Sequence, residues 1–231
     1  GPVTASNGIV SLSLSSGAAP TVDAPVAFTV IVQGAGYLTT SAKVSISSAS
    51  GQAADIQLVA LTTDSSGNLT HTQPGVEGTV KVLGTVAGGQ VATVMSLSSP
   101  DVEDSSGNTV GGAGLSIPAG TTLRTATGAA AANGPVTASV VSFSSSSPTA
   151  LQAFPGGFAV TVGGSGPGTG TGVFTSGGFA AFNLTDAQGN AIKSFDSPIT
   201  ATIALSDTLI NEDTGLPVAV GDTLPCLLYT S

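Results

Sequence analysis

Side chains that carry chemistry are scarce in this chain of 231 residues, which holds one cysteine, one histidine and no tryptophan. Cys226, being alone, closes no disulfide within the chain. One histidine and one cysteine fall short of the three or four nitrogen, sulfur or carboxylate ligands that zinc takes. A Ser–His–Asp hydrolase needs its histidine beside the nucleophile. His71 stands in Leu69-Thr70-His71-Thr72-Gln73-Pro74, which reads as connecting chain, and no Gly-x-Ser-x-Gly elbow occurs. Aromatic residues amount to 4%, too few to line sugar subsites beside a carboxylate pair or to build an aromatic carbohydrate platform.

Charge is equally thin, at 7% of residues, with 4 basic against 13 acidic side chains and a net charge of −9. Lys43, Lys81, Arg124 and Lys193 are far apart, so no basic cluster exists to neutralise phosphates, and nucleic acid is excluded as a partner. No window offers the ~18 unbroken apolar residues of a membrane helix, so no insertion is expected in this segment. The Gly-rich stretch 163–172 precedes no helix and is not a nucleotide cradle. These absences exclude cofactor-dependent chemistry and predict that the chain is not an enzyme.

What remains is 41% hydrophobic residues set among 32 glycines and many serines and threonines. Surface helices need charged side chains on the wet face; a Ser, Thr and Asn surface suits strands and turns. Alternating or β-branched runs recur at Ile9–Leu14, Val26–Val32, Ala42–Ile46, Ile56–Leu61, Thr79–Val86, Val91–Leu97, Val136–Phe143, Phe158–Val162, Phe179–Leu184 and Ile199–Leu205. Turn residues separate them, and no helical period of 10–15 residues intervenes. The Ala-rich Gly128–Asn133 is too short and too glycine-flanked for a helix. The fold class that follows is all-β, with antiparallel sandwiches, Ig-like or transthyretin-like, in tandem.

One turn is used three times: Asp64-Ser65-Ser66-Gly67-Asn68, Asp104-Ser105-Ser106-Gly107-Asn108 and Asp186-Ala187-Gln188-Gly189-Asn190. Aspartate can accept the amide two residues on and glycine takes the left-handed position, so each reads as a hairpin tip. Asn211-Glu212-Asp213-Thr214-Gly215 is a related turn. The long polar break over 63–76 reads as a linker between units 1–62 and 77–225, with 163–172 as a mobile loop of the second.

Hard carboxylates concentrate at Asp101, Glu103 and Asp104, beside Asn108, which suits calcium although the spacing is not that of an EF-hand. The alternative is a solvated turn. Asn68-Leu69-Thr70 and Asn183-Leu184-Thr185 match the glycosylation sequon, a pattern short enough to arise by chance.

Residues 25–61 carry the pattern Phe28-x-Val30-x-Val32-x-x-x-Gly36-Tyr37 followed by a closing run Ile56–Leu61. This resembles the C-terminal half of carboxypeptidase-regulatory-like, transthyretin-like sandwiches, whose usual opening strand is shortened or absent here. The resemblance implies that Gly36-Tyr37 is a turn after a central strand, with the tyrosine ring covering the sandwich edge. From Leu115 onward, the segments Phe195-Asp196-Ser197-Pro198-Ile199 and Gly221-Asp222 are similar to a region of bacterial surface proteins and of cartilage-intermediate-layer-type extracellular proteins. That likeness implies a secreted or cell-surface protein with a structural or adhesive role, partnered by other extracellular proteins or by itself. A filament subunit assembled by strand exchange through Ile9–Leu14, or an accessory part of a secreted hydrolase, are the alternatives.

Both ends carry oddities. Gly1-Pro2-Val3-Thr4-Ala5-Ser6 recurs at Gly134–Ser139. Cys226-Leu227-Leu228-Tyr229-Thr230-Ser231 can be encoded by a string that resembles a transposon end used as a sequencing adapter, so 226–231 are expected to be an assembly artefact.

Overall fold

A computed structural model describes residues 8–10, 19–48, 53, 55–153, 159–162, 170–173, 177–206, 209–211 and 214–224. Ile9–Leu14 lies mostly outside these residues, as do the first copy of the hexapeptide repeat and 226–231. The fold is all-β, with one five-residue helix among the described residues, and every strand pairing is antiparallel. No described helix is long and apolar enough to cross a membrane.

In chain order the strands are β1 (Val26–Val32), β2 (Thr40–Ile46), β3 (Val76–Ala87), β4 (Gln90–Val91), β5 (Met95–Ser98), β6 (Val102–Glu103), β7 (Thr109–Gly111), β8 (Ala113–Ile117), β9 (Leu123–Thr125) and β10 (Gly134–Phe143). Helix α1 (Pro148–Gln152) follows, then β11 (Ala159–Val162), β12 (Gly170–Val173), β13 (Phe179–Thr185), β14 (Ile192–Phe195), β15 (Thr200–Ile203), β16 (Ile210–Asn211) and β17 (Leu216–Pro217).

The strand that organises the rest is β10, GPVTASVVSF. It lies inside the sheet β13-β10-β3-β4 and carries core on both faces. Successive strand side chains alternate, so Val136, Ala138 and Val140 enter one core and Val141 and Phe143 the other. The first core is roofed by Met95 and Leu97 of β5, Ala113, Leu115 and Ile117 of β8, Leu123 of β9 and Ile192 of β14. That layer consists of the sheets β15-β8-β5 and β14-β9, and with the central sheet it forms a sandwich. The second core, on the opposite face, holds Leu38, Val59, Leu69, Val76, Ala150 and Ala153, with Phe179 opposite Phe143. The two rings stack with centroids 5.1 Å apart and planes at 22°.

The second core draws residues from both proposed units. Leu38 and Val59, from the first proposed unit, share it with Val141, Phe143 and Phe179 from the second. The stretch 63–76 contains a docked hairpin. Thr63 and Leu69 bridge across the Asp64 turn, Leu69 donates its amide to Gly78, and Leu69 and Val76 are buried. The polar residues that suggest connecting chain are the turn residues of this hairpin, and two apolar residues suffice to dock it. Gly75 shows how close the docking is: its φ is +82°, and an added Cβ would collide with Cβ of Ser147, the N-cap of α1.

Smaller differences have local causes. The run Ile56–Leu61 forms no strand and makes only the isolated bridge Ala60–Tyr37. The run Val91–Leu97 is split into β4 and β5. Part of 163–172 is strand: Gly170–Gly172 belong to β12, which pairs with β11, because Thr171 and Val173 supply a β-branched residue at every second position. Strands β6 to β9 are two to five residues long, too short for a period of two to register. Gly128–Asn133 is non-helical as expected, and Ala131 is buried in the first core.

Two substitutions on β10 should have different consequences. Phe143→Ala removes a fully buried ring and is expected to cost about 3–5 kcal/mol. Ser142 is equally buried, but its hydroxyl has no hydrogen-bond partner, so Ser142→Ala should be neutral or stabilising. Urea melts of the two variants check the pair, and a large loss in Ser142→Ala would contradict the assignment.

Candidate functional site

The three Asp-x-x-Gly-Asn segments fold alike. In each, the aspartate Oδ1 accepts amides two and four residues on: 2.8 and 3.0 Å at Asp64, 2.8 and 2.9 Å at Asp104, 2.9 and 2.9 Å at Asp186. The backbone closes the same ring, with Asp N–H to Asn carbonyl and Gly N–H to Asp carbonyl at 2.9–3.1 Å. Gly67, Gly107 and Gly189 take φ of +87°, +81° and +81°, the left-handed position expected of them. Thr125–Ala129 is a fourth turn with this backbone pattern, opened by threonine and closed through Gly128 at φ +81°.

The second carboxylate oxygen distinguishes the tips. At Asp104 it accepts Asn108 Nδ2 at 3.0 Å, a purely local contact. At Asp64 the matching asparagine is diverted, since Asn68 Oδ1 accepts the Thr79 hydroxyl at 3.0 Å. At Asp186 it accepts Asn190 Nδ2 at 3.1 Å and also the Ala132 amide at 3.0 Å, fifty-four residues away along the chain. The Ala132 hydrogen bond is the main reason the Asp186 carboxyl is lowered to about 2, with the turn contacts adding to it. Asp196 does similar work at the other end of β14: it accepts the Thr122 amide at 2.7 Å, and hydrogen bonds from Thr122 hold its carboxyl below the ordinary range. Two carboxylates therefore brace the small β9–β14 sheet from both ends.

Between the Thr125 and Asp186 tips lies an open groove of about 470 Å³, lined by Thr125, Thr127, Ala130, Ala132, Asp186 and Asn190 among others. It offers hydroxyl and amide groups over a floor of alanine methyls, with no nucleophile–base pair. Asp186, its one carboxylate, is already held by four hydrogen bonds.

Asp101, Glu103 and Asp104 flank or occupy the β6–β7 hairpin. The structure does not gather them: among the described residues no three His, Cys, Asp or Glu side chains group as a metal would require. Asp104 is held by Ser106 and Asn108, and Asn108 is the main cause of its lowered carboxyl. Asp101 Oδ1 instead lies 2.7 Å from where a Cβ on Gly112 would stand. His71 is exposed, with Nδ1 2.9 Å from the neighbouring Thr70 hydroxyl. Gly36 is left-handed, as the Gly-Tyr turn requires, yet Tyr37 stays 47% exposed while Leu38 is the buried residue. Both sequons fall on bridged or strand residues, and Leu69 and Leu184 at their centres are buried.

The tip motif is legible in the sequence; the braces from Asp186 to Ala132 and from Asp196 to Thr122 are not, because no local pattern encodes a partner so far away. No family model, no curated protein and no solved structure matches the chain.

Two outcomes are expected. Each lowered carboxyl is more acidic folded than its ordinary 3.8, so its stabilisation is complete above that pH and is lost as pH falls toward the folded value, about 2 for Asp186. The melting temperature should therefore drop between pH 4 and 2, and Asp186→Asn should flatten part of that drop. Asp104 being engaged, calcium at millimolar concentration should leave the melting temperature where a chelator leaves it. A rise with calcium would reinstate Asp101, Glu103 and Asp104 as ligands.

Proposed function

We propose that this chain is a non-catalytic structural or adhesive β-module of a secreted or cell-surface protein. The observation that carries the reading is the use made of its carboxylates. Four of them, Asp104, Asp186, Asp196 and Asp222, are held below the ordinary range chiefly by hydrogen bonds they accept at turns and strand ends. A catalytic acid is shifted the other way, by burial or by a like charge in a cleft. Among the described residues the one carboxyl raised is Glu77 of β3, raised by its partial burial, with no histidine near it in sequence other than exposed His71. The lowered carboxylates are engaged in stabilising turns and strand ends.

Composition supports the exterior location. A surface of serine, threonine, asparagine and glycine with few charges and no disulfide-forming pair is common among exported bacterial proteins, and the resemblances at 25–61 and beyond Leu115 point the same way. The groove at the Asp186 tip gives such a module a polar recess, but its alanine floor provides no stacking surface for a sugar ring.

The test is turnover. Purified chain assayed against model esters, glycosides and peptides is expected to show none above a denatured control. Turnover that persists through purification and disappears in His71→Ala would overturn the non-catalytic reading.

A further inference from the structure

Strands β1 and β2 pair only with each other among the described residues, across seven register pairs. A two-stranded ribbon is marginal in water, and among the described residues neither outer edge is paired. The two edges are not alike. β2 carries Lys43 at its middle, a charge of the kind that discourages strand addition. β1, VAFTVIV, has no charge and no proline inside it, and Ile31 is 61% exposed.

We infer that the outer edge of β1 is a self-association surface, which takes the β1 strand of a second copy of this chain in antiparallel pairing. The strand is complementary to itself about Thr29. Centred there, Phe28 faces Val30 of the second copy, Ala27 faces Ile31 and Val26 faces Val32. Every pair is then apolar except the central Thr29–Thr29 pair, and each residue keeps its face of the sheet. Charge selects the same place. The chain carries −9 overall, but no acidic residue falls between Asp23 and Asp55, and Lys43 is the one charge in that interval. Two copies can therefore approach here without the repulsion found elsewhere. The product is a four-stranded sheet, β2-β1-β1-β2, with Val26, Phe28, Val30 and Val32 of both copies on one face. Because the contact is two-fold, it closes at a dimer and does not propagate. The inference gives a partner to the structural module proposed above and rests on that reading.

Sedimentation or light scattering over a wide concentration range should show a monomer–dimer equilibrium. Thr29→Glu places two like charges at the symmetric centre while facing Lys43 across each copy's own ribbon, and should weaken the dimer about tenfold or more while leaving the circular dichroism spectrum unchanged. In a chain that also carries Cys226→Ser, Thr29→Cys should cross-link to dimer on oxidation, whereas Val22→Cys, exposed but outside the strand, should not. A monomer at every concentration, a dimer indifferent to Thr29→Glu, equal cross-linking at Val22, or open-ended fibres would each overturn the inference. None of these results bears on turnover, so its failure is separable from that of the non-catalytic reading.

Discussion

Burying β10 on both faces is the constraint around which the other elements are arranged. A strand with core on one side can keep polar residues on the other; one with core on both must be small or apolar throughout. β10 meets this with valine, phenylalanine, alanine and two serines, and the serines show the compromise. Ser139 and Ser142 are buried with hydroxyls that have no hydrogen-bond partner. Ser142 Oγ lies 3.3 Å from where a Cβ on Gly111 would stand, so neighbouring layers close over it at a distance a larger side chain would not allow. Small size outweighs hydrogen bonding at that position.

The second face of β10 draws together segments distant in sequence. Because Val141 and Phe143 need a cover, segments from the first half of the sequence are drawn onto them: Leu38, Val59, the Asp64 hairpin through Leu69, and Val76. The short helix α1 completes the cover with Ala150 and Ala153, its N-cap Ser147 also donating to the Pro74 carbonyl at 2.7 Å. That contact joins the loop before β3 to the loop after β10.

The turn aspartates work at short range, and two carboxylates also reach much farther along the chain. Asp64, Asp104 and Asp186 accept amides from their own turns and fix hairpin tips; Asp186 and Asp196 also reach across to Ala132 and Thr122 and fix one hairpin against another. The groove beside Asp186 is a consequence of that bracing, since the two tips are held apart at a set distance. Carboxylates used in this way hold a shape.

The strand content and the hairpin tips were determined by the sequence alone, because each depends on residues within a few positions: β-branched alternation for β1, β2, β10 and β13, and aspartate with glycine three places later for the tips. Tertiary structure decided three things. It made 63–76 a packed hairpin, because the burial of Leu69 and Val76 depends on a core face that β10 supplies from more than sixty residues away. It kept Asp101, Glu103 and Asp104 from converging, because Asp104 is satisfied by its own turn while the β6–β7 pairing sets where the others stand. And it gave Asp186 and Asp196 their distant amides, for which a one-dimensional pattern holds no signal: a hydrogen bond reads distance in space, which only the folded chain defines.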